Sequence, residues 1–418
     1  MNHETVSRRV AVSGVGAVSG LGWGVAPLWE GLRAGRTAIR PIQRFDHTAH
    51  RTHLAAEAAG PEDAGLAADP RWERLSLADR FAVAAAAEAL AMAGLAPPLA
   101  SLDDLWAGVW FGSSTGGMFE SERFFNEFLH GRWRSARLRD LATQQVNVPG
   151  DAVARWFGVT GPVRTVSSAC SSGALALGAA LDAVRSGEVD VALAGGSDSL
   201  CQLTYAGFNA LRSVDEGPCR PFRACREGMS FGEGAAVLVL EPLERVQERG
   251  GEPLAVLAGA GSACDAHHMT APDPSGAGAA AAMEAALRDA GLSAAQIDFV
   301  NAHGTGTPLN DAAEWRALQR VFGERAGEIP LTATKALLGH LLGSSGAIEA
   351  VTTVLCLRHG ELHPVPACAG GPAVDPELPV ALVLDRPLPL PDARAAISTS
   401  LAFGGSNAAL VFSRWMGT

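Results

Sequence analysis

AVSGVGAVSG, residues 11–20, is an apolar strand that breaks into glycines, and AVLAGAGSAC, residues 255–264, repeats the pattern. Three further matches follow in the same order. GVWFGSSTGG (108–117) pairs with DFVNAHGTGT (298–307), each a short strand ending in a Gly/Ser/Thr-rich turn. CSSGALALGAALDAV (170–184) pairs with GSSGAIEAVTTVL (343–355), each a small-residue turn opening a helix, and VALAGGSDS (191–199) pairs with SLAFGGSNA (400–408). Four weak matches in one order outweigh any single one, so the chain reads as a tandem duplication, with a first half over 1–250 and a second over 251–418. Strands alternating with helices predict stacked α/β layers, and the helix after Cys170, apolar on nearly every face, is expected to lie between sheets. A dinucleotide-binding fold fits these glycines poorly, because GVGAVSG lacks the GxGxxG spacing and no acidic residue closes a following strand.

Bulk properties set the outer limits. A chain of 418 residues, 48% of them hydrophobic, can bury a large core. No apolar run approaches the roughly 20 residues that span a bilayer; even the alanine-rich stretch 82–94 carries Glu88. The start passes from a polar tail straight into a strand without the apolar segment of a signal peptide, and the expectation is a soluble cytoplasmic protein with no membrane partner. Seven cysteines are an odd number without CxxC spacing, which points away from a disulfide framework and from structural zinc. A net charge of −11 with no long Lys/Arg run argues against nucleic acid as a partner.

In TVSSACSSGALALGAA, Cys170 follows a predicted strand where a helix begins. The free amides and positive dipole end of such a helix favour a thiolate, a nucleophile at neutral pH, although a small buried core cysteine fits the same context. His303 in NAHGTGTPLND directly follows a strand, and His340 in KALLGHLLG lies in a turn before a helix. By the repeat, both turns fall at the same end of the sheets as Cys170. Cysteine with two histidines could begin a zinc set, but a fourth ligand is missing. Between these histidines lies Lys335, the only lysine of a chain whose lysines and arginines together number 33. Its compact ammonium suits a small buried pocket, which a planar guanidinium does not.

Over essentially its whole length the chain resembles the β-ketoacyl-acyl carrier protein synthases, the condensing enzymes of bacterial fatty acid and polyketide assembly. The motifs that carry the resemblance are SSACSSGA around Cys170, CRPFRACREGMSFGEGAA (219–236), DAHHMTAPDPSGAG (265–278), NAHGTGTPLNDAAE (301–314), TKALLGHLLGSSGA (334–347) and FGGSN (403–407). The resemblance implies the α/β thiolase-type fold, two duplicated halves in five layers (αβαβα), with the nucleophile in the first half and both histidines and the lysine in the second. It implies that Cys170 takes an acyl chain from a carrier-protein thioester and that His303 and His340 assist decarboxylation of malonyl-carrier protein. The main-chain amides of Cys170 and Phe403 would form the oxyanion hole, and Phe403 would also gate entry of the second substrate. Glu314 would be the buried acid that pairs with Lys335. Thr305 and Thr307 would bind the pantetheine arm, with Thr115, Phe208 and Thr270 as further substrate-binding residues and Thr115 at the floor of the acyl pocket. No organic or metal cofactor is implied, since the substrates travel on phosphopantetheine.

Where relatives commonly read SFGFGGTN, this chain reads SLAFGGSN, so the gate is expected to swing differently. With DSLCQLTYAGFNAL (198–211), this departure resembles ketosynthases of polyene-type type II polyketide systems. The expected partners are an acyl carrier protein and a second subunit, either an identical copy or a cysteine-less chain length factor. Carrier proteins are acidic, which makes Arg132 and Arg134 in GRWRSARLRD (131–140), and Arg71 and Arg74, candidates for docking. Two other functions fit the fold: a non-catalytic chain length factor, opposed by the presence of Cys170 and both histidines, and a coenzyme A-dependent thiolase, whose second reactive cysteine is replaced here by His340.

Overall fold

Helices of the first half pack directly on strands because the strands lack side chains where they touch. In a computed structural model describing residues 8–58, 64–101, 105–366 and 374–417, strand β1 (Val10–Ser19) is buried throughout and lies under α1 (Leu77–Ala93). A Cβ at Gly14 would fall 2.9 Å from Ala93 N, and one at Gly16 the same distance from Ala89 N, so only glycine admits the alanine-rich helix. Helix α1 begins on a capping box, with Ser76 and Asp79 bonded reciprocally, and ends on left-handed Gly94.

The first half continues with β2 (Ala107–Gly112), α2 (Met118–Leu129), α3 (Val148–Phe157), β3 (Val163–Val166), α4 (Ser172–Ser186), β4 (Val191–Asp198), α5 (Gln202–Ala210) and β5 (Gly234–Pro242). The second contains β6 (Ala255–Cys264), α6 (Ala277–Ala290), β7 (Phe299–Asn301), α7 (Pro308–Phe322), β8 (Pro330–Thr332), α8 (Lys335–Leu338), α9 (Ser345–His359), β9 (Ala381–Leu382), β10 (Ala395–Leu401) and β11 (Ser406–Ser413). Strand order is β9-β8-β7-β10-β11-β6-β1-β5-β4-β2-β3. From the centre outward each side repeats one plan: β1-β5-β4-β2-β3 against β6-β11-β10-β7-β8. The inner pairings are antiparallel, and β4–β2–β3 and β10–β7–β8 are parallel. Both central strands carry a register shift at the same place, between Val12 and Gly14 and between Leu257 and Gly259.

Within the large sheet the sides join where Val10–Val12 pair with Ala255–Leu257, and between them lie α4 and α9. Helix α9 is buried from Ser345 to Leu357, which explains why its sequence shows no polar face. The two central helices meet through reciprocal glycines: a Cβ at Gly173 would lie 2.9 Å from Ala347 N, and one at Gly346 would lie 2.7 Å from Ala174 N. With α1 and α3 outside one sheet and α6 and α7 outside the other, the layers read αβαβα. Among the described residues no helix is long and apolar enough to cross a membrane.

One match of the repeat lies out of register. VALAGGSD is β4, whose counterpart is β10, whereas the glycines of SLAFGGSNA fall in the turn after β10. The pairs look alike for different reasons. Gly196 sits 3.1 Å, by its missing Cβ, from Ser344 Cα, while Gly404 and Gly405 take φ of 82° and 75°.

Candidate active site

Three turns from the two halves open on one cleft of about 260 Å³, whose walls include Cys170, His303, His340, Phe208, Met229 and Phe403. Cys170 lies between the end of β3 and the start of α4, after Ala169 at φ 47°. At the equivalent place in the second half Leu342 has φ 54°, so both halves make the same strained turn before their central helix.

Lys335 is 1% exposed at the start of α8. Its Nζ lies 3.0 Å from His303 Nδ1 and forms an ion pair with Glu349 of α9. This corrects the expected partner. Glu314 instead accepts from the His303 N–H at 2.8 Å, the Gly304 N–H at 2.9 Å and the Thr399 hydroxyl at 2.7 Å. Its carboxylate is occupied by the backbone of the histidine turn, and Glu349 reaches the ammonium from α9. The second oxygen of Glu349 has no hydrogen-bond partner among the described residues.

An ammonium only donates, so His303 Nδ1 accepts and the ring proton sits on Nε2. His340 reaches the same state through different atoms: its Nδ1 accepts from the Leu342 N–H at 3.0 Å, with Ser345 Oγ also at 3.0 Å. The rings stand edge to face, centroids 5.5 Å apart at 86°. Burial holds both imidazoles well below the usual histidine range, and the Lys335 charge pushes each the same way. They are neutral rings whose Nε2–H meets no hydrogen-bond partner among the described residues.

Burial pushes the Cys170 thiol up to about 11, against the Lys335 charge and the main-chain N–H groups of Phe403 and Cys170, which face the sulfur. Of the two readings of this cysteine, burial favours the protonated thiol, and desolvation at this depth opposes the amides and the ammonium.

Phe403 lines the cleft, stacked on Phe208 with centroids 5.3 Å apart and planes 15° apart. Its turn is fastened to the loop after β6, where the Gly404 N–H donates to Met269 O, the Asp265 N–H to Gly405 O, and Asn407 Nδ2 to Asp265 Oδ1. Ser406 Oγ lies 2.9 Å from Ser168 Oγ and 3.0 Å from Ser171 Oγ, on the Cys170 turn. Ala402 is extended at φ −129° and ψ 155°, a conformation that needs no glycine there.

Thr270, Thr305 and Thr307 line the cleft, with the hydroxyls of Thr305 and Thr307 3.0 Å apart. Thr115 does not. Its hydroxyl donates to Asp198 at 2.9 Å, in a buried carboxylate cluster that also takes the Ser113 hydroxyl and the Ser114, Thr115 and Gly116 amides. Of the docking candidates, Arg132 is held by Glu127, and Arg71 by Asp69 while lying over Trp156; Arg134 and Arg74 are exposed. Sequence reasoning missed Glu349, Asp265 and Asn407. The signal for Glu349 was a lone acid inside the apolar run GAIEAVTTVL.

Two family models match the chain: Beta-ketoacyl synthase, N-terminal domain, over residues 7–245, and Beta-ketoacyl synthase, C-terminal domain, over residues 254–368. The chain is 34% identical to 3-oxoacyl-[acyl-carrier-protein] synthase 2 of Staphylococcus aureus (strain COL), covering 98% of this chain and 99% of the relative. It is 38% identical to putative polyketide beta-ketoacyl synthase 1 of Streptomyces halstedii, covering 97% and 98%. Among solved structures, the ishigamide ketosynthase/chain length factor superposes with a TM-score of 0.90 at 34% identity, over 98% of this chain and 100% of that one.

Proposed function

The chain belongs to the β-ketoacyl synthase family of condensing acyltransferases, and we propose the following division of labour in its cleft. Cys170 attacks the thioester carbonyl of an acyl-carrier protein; the sulfur–carbonyl bond forms, the pantetheine sulfur leaves, and the thiol proton ends on it. Malonyl-carrier protein then loses carbon dioxide, and the electron pair of the broken bond becomes an enolate. His303 and His340 donate through Nε2–H to the oxygen on which that charge develops, as neutral donors that need no proton transfer. The enolate carbon attacks the acyl carbonyl, whose oxyanion the amides of Cys170 and Phe403 receive. Cys170 leaves and regains a proton from solvent.

The observation that carries this reading is the pair of occupied Nδ1 atoms: an ammonium on one ring and a main-chain amide on the other leave two Nε2–H donors on one cleft. Cys170→Ala is expected to abolish acyl transfer and condensation while carbon dioxide release from malonyl-carrier protein survives; loss of both half-reactions in a folded variant would refute it. A chain length factor is disfavoured by the intact nucleophile, and a thiolase by the lack of a second cysteine on the described cleft wall.

Thr305, Thr307 and Thr270 would receive the pantetheine arm. Substrates would arrive on an acyl carrier protein, with no further cofactor. The polyketide relative and the ketosynthase/chain length factor structure favour a type II polyketide role with a chain length factor as second subunit. Native mass spectrometry of the chain expressed with a cysteine-less homologue tests this; a homodimer that condenses malonyl units alone would overturn it.

A further inference from the structure

The chain has a single tyrosine, Tyr205, on α5, and it is wholly buried. Its hydroxyl lies 2.6 Å from Thr52 Oγ1. Thr52 Oγ1 also donates to Asn209 Oδ1 at 3.3 Å, which leaves the phenol as the donor in the first pair. The Thr52 N–H donates to the same Asn209 oxygen at 3.2 Å, and Asn209 Nδ2 donates to Tyr205 O at 2.9 Å. The segment before residue 54 is thus strapped to α5 by polar atoms at the edge of an apolar cluster, with the His50 ring edge to face on Tyr205.

The other side of the ring connects to the cleft wall through two further aromatic rings. Tyr205 packs on Phe231 with centroids 5.3 Å apart, Phe231 meets Phe208 edge to face at 5.3 Å and 88°, and Phe208 carries the stacked Phe403. Backbone on both sides of Phe231 holds His340, through the His340 N–H to Ser230 O at 2.7 Å and the Gly232 N–H to His340 O at 3.0 Å.

We infer that Tyr205 is a positioning residue for the gate: through its hydroxyl bond to Thr52 it fixes α5, so that Phe208 stands as the wall against which Phe403 closes. This rests on the reading of Phe403 as a gate. A tyrosine that only filled the core would not need its hydroxyl, since phenylalanine has the same ring. Losing the hydroxyl frees α5 to shift and weakens the closed arrangement, which keeps water from the acyl thioester.

The test is the lifetime of acyl-Cys170, loaded from a short acyl donor, freed of excess donor and followed by intact mass, with melting temperature measured beside it. Tyr205→Phe and Thr52→Val are each expected to shorten the lifetime by up to about fivefold, the shift in a closed/open ratio that one ordinary hydrogen bond carries. The double variant should be no worse than either single, and Thr52→Ser, which keeps the hydroxyl, should behave as the parent. Phe403→Ala is the control. If it shortens the lifetime while the other two leave it unchanged, or if the singles add in the double, Tyr205 has no positioning role. If Phe403→Ala itself has no effect, the gate reading fails and this inference with it.

Discussion

Replacing Lys335 by arginine keeps a positive charge and should still stop the reaction. The ammonium is 1% exposed and serves two partners, His303 Nδ1 at 3.0 Å and Glu349. A guanidinium is longer, planar and wider, and in a packed interior it must displace one of them. Overfilling of this kind costs about 1–3 kcal/mol, which a large two-sheet core tolerates, so the variant should fold. The His303 ring will not tolerate it equally well. Once Nδ1 loses a well-placed donor, its proton can move there and Nε2 stops donating. Removal of one oxyanion donor costs about 10²–10³ in rate, or about 2.7–4 kcal/mol. Lys335→Ala should lose as much by the same route. The assay is carbon dioxide release from malonyl-carrier protein, with thermal unfolding to confirm the fold. Release by the arginine variant within about threefold of the parent would refute the reasoning, because charge alone would then suffice.

Alkylation of Cys170 by iodoacetamide should rise about tenfold per pH unit from 6 to 9, because a thiol pushed up to about 11 is still mostly protonated there; a plateau below pH 8 would mean that the ammonium and amides outweigh burial. Glu314→Gln should lower stability by about 1.5–3 kcal/mol in urea titrations, since its charged oxygens take the His303 and Gly304 amides and an amide side chain offers one acceptor in place of two. Reversing Arg132 and Arg134 to Glu should raise KM for carrier-bound substrates in a salt-dependent way without affecting small thioesters, and equal impairment of both donors would remove docking as the cause.

The thiolase-type architecture was legible because it is written in glycine. Gly14 and Gly16, and Gly259 and Gly261, stand where helix backbone touches strand, and no other residue fits, so the duplication survives in the letters. Cys170, His303 and His340 were legible because each sits in a turn of small residues after or before a regular element. The partner of Lys335 was not. Glu314 and Glu349 are both buried acids near the same turns, and only the third dimension shows that one faces main-chain amides and the other faces the ammonium. Thr115 misled for a related reason: its position beside the nucleophile turn follows from the strand, but the direction of its hydroxyl is set by Asp198, 83 residues away. The thiol's protonation stayed open between two readings because a helix start is visible in sequence and depth of burial is not.

The reciprocal glycines of α4 and α9 have an evolutionary reading. Each helix occupies the space that a side chain on the other would need, so Gly173 and Gly346 cannot drift singly and neither half can be remodelled without its mate. The nucleophile turn and the Glu349 anchor both belong to this mutually constrained layer. New substrate preferences are therefore expected to arise at its margins, on residues such as Phe208, Met229 and Leu401 that face the cleft from one half at a time. Duplication first supplied two copies to vary; the contact between them then made the centre the part least free to do so.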